Sequence, residues 1–465
     1  MDATDAFRHH VVDPVELAGL PTVFVDRARR AAKDAGLTGF LLTLDPPTYT
    51  AVLSQAQSAP LRATFYEAWV TRASDQGPLA GRWDNTSLIG TILALRHESA
   101  QLLGYASFAE LSLATKMAGT PDEVIEFLRD LAIKCRPVAA RELAELETYA
   151  GRKLAAWDVA YFSEQLKRER LQLSAESLRP YFPLPKVLDG LFRIVRTLFA
   201  VDIRAMPASA PWHPDVCCYE LYGEHGQRIG GVLTDLYARP NKRGGAWMDG
   251  ARTRARIPDL EQLPVAYLVC NFNPPAEGHP SLLTHEEVVT LFHEFGHALH
   301  HLLTEIDYPS IAGIHGVPWD AVELPSQFFE NYAWLPEALP WISSHYETGE
   351  SLPQEKLETL KASRTFHVGL AIVRQLEFAL FDFRLHKEYE PRSGDRVAEI
   401  LADVRSEVAV IEVPGFNRFP NTFAHIFGGG YAAGYYSYKW AEVLAADAFA
   451  AFVEHGSFSP EMAAR

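Results

Sequence analysis

Apolar residues recur at helical spacing along most of this 465-residue chain. From about Pro60 to Leu113 they return every three or four positions, which puts Trp69, Ile92, Leu95 and Leu102 on core-facing sides of helices. Thr120-Pro121-Asp122-Glu123 opens a long helix, with a hydroxyl at the cap, proline at the first helical position and an acid three residues after the cap. Pro137 falls inside that helix and is expected to kink it. Asp158 is placed to cap another helix, and the stretch from Pro180 to Pro185 breaks the pattern before a helix around Leu188 to Phe199. The middle of the chain has a different period. Cys217 to Tyr222, Ile229 to Tyr237 and Val265 to Phe272 read as short strands, separated by turn chemistry at Gly223-Glu224-His225-Gly226 and from Asn241 to Gly245. After Asn273 helical spacing returns to the end. The expectation is a mainly α chain of α+β type, residues 1–465 forming a single unit with a small, mostly antiparallel sheet and two lobes around a deep cleft.

Composition narrows the partners. Apolar residues make up 48% and charged residues 22%, the profile of a soluble globular protein, and a chain of this length can bury a large core without covalent staples. The 59 acids against 43 bases give a net charge of −16. That disfavours nucleic acid, whose phosphates need a basic surface, and adsorption to anionic membranes. Cys135, Cys217, Cys218 and Cys270 are too sparse for a disulfide framework and include no C-x-x-C pair, so reduced thiols are expected. Residues 1–10 carry acids and histidines and no apolar core segment, and no stretch approaches eighteen uninterrupted apolar residues. The reading is a cytoplasmic protein with no membrane and no nucleic-acid partner.

The chemistry concentrates between Thr284 and Leu302. Thr284 with Glu287 forms a capping box, and Val288, Leu291, Phe292, Phe295 and Leu299 make an apolar stripe. On this helix lies His293-Glu294-Phe295-Gly296-His297. Residues four apart share a face, so both imidazoles can reach one ion. Zinc accepts imidazole nitrogen and needs only three protein ligands when it is catalytic. Glu294, beside the first histidine, can reach the open fourth position and take a proton from an attacking water. The pair alone also fits a surface histidine pair on an amphipathic helix. Glu305, Asp307, Asp320, Glu323 and Glu330 are candidates for the third ligand. The first two lie too near the end of the same helix to fold back. Glu323 is better placed, one turn into a second helix that begins near Trp319-Asp320. Asp320 either caps that helix or accepts a hydrogen bond from the far nitrogen of a ligand histidine. Glu330 reads as a solvated helix position, and His300 and His301 as packed or exposed. His315, in a glycine loop, could touch substrate or be a plain loop residue.

These residues carry a resemblance. H-E-F-G-H-A-L-H-H from His293, G-V-P-W-D-A-V-E-L-P-S-Q-F-F-E-N from Gly316 and N-R-F-P-N-T-F-A-H-I-F-G-G-G-Y-A-A-G-Y-Y-S-Y-K-W-A-E-V from Asn417 stand in the order found in the thimet oligopeptidase family of zinc metallopeptidases. The chain resembles that family along almost its whole length. The resemblance implies a helical, zincin-type catalytic unit with a metal-binding core of about residues 265–445. It implies that one zinc ion is held by His293, His297 and Glu323, and that Glu294 is the general base. It also implies that a tyrosine of the glycine-rich segment, Tyr431 or Tyr438, supports the oxyanion, with Tyr435 between them and His425 near the substrate. Gly428-Gly429-Gly430 offers a backbone that a substrate can approach closely, and tyrosine hydroxyls suit a developing oxyanion. The family pattern further suggests that the strand from Tyr267 to Asn273 borders the cleft and pairs with substrate backbone.

The expectation is therefore a zinc metalloendopeptidase of monomeric type that cuts short, unstructured peptides. The match begins well inside the family pattern and stops soon after Trp440-Ala441-Glu442-Val443, so the family's N-terminal segment and C-terminal end are expected to be absent. That motivates an alternative, a truncated non-catalytic peptide-binding protein or one half of a complemented complex. A structural zinc site is disfavoured, since such sites have four protein ligands and favour cysteine.

Overall fold

The computed structural model describes residues 2–171, 175–207, 211–239, 241–258, 260–275, 278–391, 394 and 396–464. Helices dominate, and five strands of the middle of the chain make a small mixed sheet, with a separate two-stranded pair of Ala255–Ile257 and Leu260–Gln262. The architecture rests, in chain order, on helix α1 (Pro121–Ala150), helix α2 (Leu184–Phe199), strands β1 (Asp202–Met206), β2 (Cys217–Tyr222), β3 (Arg228–Tyr237), β4 (Trp247–Arg252) and β5 (Val265–Phe272), and helices α3 (His285–Leu302), α4 (Leu324–Glu330), α5 (Val368–Lys387) and α6 (Ser437–His455). The chain divides into two compact units, Met1–Gln172 with Ser363–Tyr436, and Leu173–Ala362 with Ser437–Arg465.

In the first unit, α1 starts as its residues dictate. Thr120 Oγ1 accepts the Glu123 N–H at 3.2 Å, Pro121 occupies the first turn, and Gly151 in the left-handed region ends the helix. The helix continues through Pro137. Its buried Ala139 and Leu146 meet Leu370 and Val373 of α5, and the Glu142 carboxylate accepts the Gly369 and Leu370 N–H groups at the start of α5. Asp158 does precede a helix, Val159–Leu171, but its buried carboxylate serves Arg62 at 2.7 Å and Arg152 at 2.8 Å. The helix Thr86–Leu102 corrects the expected core face. Leu95 and Leu102 are 59% and 80% exposed, while Ile89, Leu93 and Ala100 point inward. Apolar residues stand on both sides of this helix, so spacing alone does not say which side is covered.

One buried carboxylate organises the end of this unit. Asp382 of α5 is fully buried and accepts the N–H groups of Ala433, Gly434 and Tyr435, each at 2.9 Å. His386 Nδ1 lies 3.0 Å from the same carboxylate, and Arg96 donates to His386 Nε2 at 2.9 Å. On the carbonyl side, Ser112 Oγ donates to Ala433 at 2.9 Å. Ala433 itself has φ +46°, a left-handed conformation that a side chain tolerates only when its surroundings enforce it.

In the second unit the sheet order is β1-β2-β3-β5-β4, with β3 and β5 parallel and the other neighbours antiparallel. The mostly antiparallel sheet is thus as expected, but one strand role changes. β5 pairs with β3 on one side and, over Val265–Val269, with β4 on the other, so Tyr267 has no free edge to offer a substrate. The edges of the sheet are β4, beside β5, and β1 at the far side. Helix α3 lies against β5, whose Ala266, Leu268 and Cys270 are fully buried. Helix α2 packs beside it, Phe192 meeting Phe295 of α3 and Tyr219 of β2. Pro185 occupies the first turn of α2, so the proline stretch runs into the helix instead of preceding it. A proline there needs no partner for its missing N–H. Among the described residues no disulfide joins the cysteines, and no helix is long and apolar enough to cross a membrane.

Asp382→Asn puts an amide donor against N–H groups that need an acceptor. Each buried N–H left unpaired costs about 1–3 kcal/mol, so the variant should lose about 2–4 kcal/mol of stability in a denaturant titration. A loss under about 0.5 kcal/mol would contradict the clamp.

Candidate metal centre

Helix α3 is started by the capping box its sequence contains. Thr284 Oγ1 accepts the Glu287 N–H at 3.1 Å, and the Glu287 carboxylate accepts the Thr284 N–H at 2.7 Å. Val288, Leu291, Phe292, Phe295, Ala298, Leu299 and Leu302 bury the apolar stripe and so fix the rotation of the helix. His293 and His297 then stand one turn apart on one face, with ring centroids 5.0 Å apart.

Glu323 comes from the next element. It immediately precedes α4, after the single turn Trp319–Ala321, and its side chain is almost fully buried. Its Oε2 lies 3.0 Å from His297 Nε2 and 3.2 Å from His293 Nε2. One ligand atom from each of these three residues lies within 4.8 Å of the others. Two donors bound at about 2.0–2.1 Å to one tetrahedral ion would be about 3.3 Å apart, so the spacing suits zinc. The donor set suits it as well, with two imidazole nitrogens, one carboxylate and, among the described residues, no fourth protein ligand.

Gly296, inside the motif, makes this approach possible. A Cβ there would fall 2.7 Å from Pro325 O and from Ser326 Cα. Glycine in mid-helix costs roughly 1 kcal/mol against alanine, and here it lets the first turn of α4 touch the backbone of α3. Ser326 Oγ donates to Glu323 Oε2 at 3.1 Å, which helps to hold the carboxylate.

One ligand histidine is oriented by Glu330. Glu330, read from sequence as solvated, places Oε1 2.6 Å from His293 Nδ1. It thereby holds a proton on Nδ1 and leaves Nε2 as the nitrogen that can be given to a metal ion. Glu330 is seven residues after Glu323, two turns along the same helix face, and that spacing was the signal available. Asp320 is fully buried in the turn Trp319–Ala321. Burial would lower the His293 pKa, but Glu323 and Glu330 outweigh it and hold the ring well above its ordinary value. Burial would raise Glu323, yet the two histidines bring it well below the usual carboxylate range. Glu294 is 6% exposed, and burial raises its pKa against the pull of both histidines. The Met248 backbone of strand β4 lies beside its carboxylate and favours the charged form.

The remaining expected residues fall in two places. In the unit of the metal group, His315 is exposed in the turn Gly313–Gly316, and the Tyr438 carbonyl accepts Gln327 Nε2 of α4 at 2.9 Å. His301 is fully buried, and His300 lines an apolar cavity of about 550 Å³ with Phe199, Leu303, Val317 and Phe328. Burial brings the His300 pKa down to about 4. The other unit holds His425, Tyr431 and Tyr435, with the His425 ring 6.2 Å from Tyr431 and 5.6 Å from Tyr435. Tyr435 donates its hydroxyl to Gln375 at 3.0 Å. Gly429 and Gly430 follow the short helix Ala424–Phe427 there, and a Cβ on Gly429 would lie 2.9 Å from His425 O.

Glu330→Ala removes the acceptor on His293 Nδ1 without touching a donor atom. Loss of such a partner should weaken zinc binding by about 10–100-fold, read by competition with a chromogenic chelator. Affinity equal to the parent would show that Glu330 does not orient the ring.

Comparison with known proteins agrees with this architecture. The profile of peptidase family M3 matches residues 52–464. Oligopeptidase A of Escherichia coli (strain K12) is 52% identical over 467 residues, covering 99% of this chain and 69% of the relative. Dipeptidyl carboxypeptidase of the same organism is 34% identical over 460 residues, covering 97% of this chain and 66% of the relative. The chain thus spans about two thirds of the length of these relatives. Among solved structures, one described as PZ peptidase A with inhibitor 2 shares the fold at a TM-score of 0.56 and 15% identity, covering 90% of this chain and 63% of that one. A match over most of the chain, together with relatives at this identity, establishes that the chain belongs to peptidase family M3.

Proposed function

We propose that this chain is a zinc-dependent endopeptidase acting on short, unstructured peptides. The observation that supports it most is the convergence of His293 Nε2, His297 Nε2 and a Glu323 oxygen beside a buried Glu294. Zinc held by these three would supply a Lewis acid that polarises a carbonyl and makes water easier to deprotonate.

The chain's own residues then divide the task. Glu294 takes the proton of the attacking water. Its raised pKa brings it nearer the range where a carboxylate can both accept a proton and give it back to the leaving amine. The hydroxyl of Tyr431 or Tyr438 donates to the oxygen that gains negative charge, a role the resemblance suggests and that is worth about 3 kcal/mol of barrier where measured. His425, Tyr435, Gly429, Gly430 and His315 belong to this reading as substrate contacts, and Asp320 as a second carboxylate behind the ligands. The free edge of β4, next to Glu294, is the strand suited to pair with an extended peptide. A cytoplasmic, monomeric peptidase is part of the same proposal.

Glu294→Gln keeps the size of the side chain and removes the base. Zinc content, read by elemental analysis, should stay at the parent level. Cleavage of an internally quenched decapeptide should fall by about 10²–10⁴-fold. Undiminished turnover would overturn the mechanism. Peptide binding without cleavage by the zinc-loaded parent would favour the peptide-binding alternative.

A further inference from the structure

His301 lies on α3 one turn beyond His297 and is fully buried, its ring against the end of strand β4. Its Nε2 is 2.8 Å from the carbonyl oxygen of Arg252, the last residue of β4. A carbonyl only accepts, so Nε2 carries the proton. The Val265 backbone also lies beside the ring. Arg252 and Val265 are partners at the end of the β4–β5 ladder, just past a register shift between Gly250 and Arg252. The ring therefore closes the ladder where its own pairing is irregular.

The surroundings are fitted to the ring. A Cβ on Gly250 would come within 3.1 Å of His301 Cε1. On the other side Gly313, with φ +56°, would bring a Cβ to 2.9 Å from His301 Nδ1. Two glycines thus let the edge strand and the loop ahead of Glu323 close onto one imidazole. Among the described residues Nδ1 is buried with no hydrogen-bond partner, so the hydrogen bond of the ring is the one to the Arg252 carbonyl at the strand end. Two residues before Gly250, the Met248 backbone lies beside the Glu294 carboxylate.

We infer that His301 is a positioning residue: its Nε2–H clasps the bulged end of β4 to the metal-site helix and so sets where the free strand edge stands relative to Glu294. This rests on the function proposed above. The bond joins the helix that carries the ligands to the strand that presents backbone to a peptide. Loss of the clasp leaves the three donor atoms in place and lets the strand end move.

The test compares His301→Leu, which fills the space without a donor, with His301→Gln, which keeps an N–H, in the full chain. Hydrogen exchange of amides in residues 247–252 is followed with and without zinc, alongside zinc content and decapeptide cleavage. In the leucine variant exchange should accelerate and kcat/KM should fall, each by about tenfold or more, the loss expected for one buried hydrogen bond, with zinc content unchanged. The glutamine variant should recover most of both. If the leucine variant does not fold, Gly250→Ala keeps His301 but pushes the strand off the ring, and should accelerate the same amides. Parent-like exchange in the variant that folds, or no recovery with glutamine, overturns the assignment. Full activity in Glu294→Gln would sink the proposed function, while the exchange readout would still decide the clasp.

Discussion

The close approach of α3 and α4 at Gly296 is the constraint on which the metal centre depends. Two histidines on one helix give only two donors. The third must come from a separate element, and its carboxylate must lie within about 3 Å of both imidazoles. A Cβ at position 296 would strike the backbone of Pro325 and Ser326, so the absence of a side chain there decides how near Glu323 can come. The stacked rings of Phe292 and Phe329, 5.4 Å apart, hold the two helices together on the apolar side. Glu330 continues the same logic, since a helix that brings Glu323 to the ring edge brings the residue two turns later to the far nitrogen of His293.

A second layer ties the acid-base group to the sheet. Glu294 projects from the ligand helix toward β4, whose Met248 backbone lies beside its carboxylate. The strand is an edge, so one side of its backbone remains unpaired. Helix, base and strand edge form one assembly within a single unit of the chain. The glycine-rich segment belongs to the other unit, where Asp382 and Ser112 hold its turn from opposite sides. A segment bearing several glycines is in this way given one conformation by buried hydrogen bonds.

Much of this was legible in the sequence because the relevant signals are local. The Thr284–Glu287 box, the spacing of His293 and His297, and the Thr120-Pro121 start each depend on residues within one turn of one another, and the structure has them as read. The features that escaped depend on which face meets a neighbour. Leu95 and Leu102 belong to a helix with apolar residues on both sides, and the sequence has no term for which side is covered. The segment from Val265 to Phe272 reads correctly as a strand, yet its interior position depends on β4, whose Trp247-Met248-Asp249-Gly250 carries little strand pattern. Glu330 looks like any helix-surface acid until α4 is laid against α3. His301 looks like one more histidine in a run until the bulge of β4 is placed under its ring.

The most direct measurement of the central claim is X-ray absorption at the zinc edge on the reconstituted protein. The account requires a shell of nitrogen and oxygen donors at about 2.0–2.2 Å with two imidazoles resolved, and no sulfur. A sulfur shell near 2.3 Å, or a site that keeps two imidazoles and one carboxylate unchanged in Glu323→Ala, would contradict it.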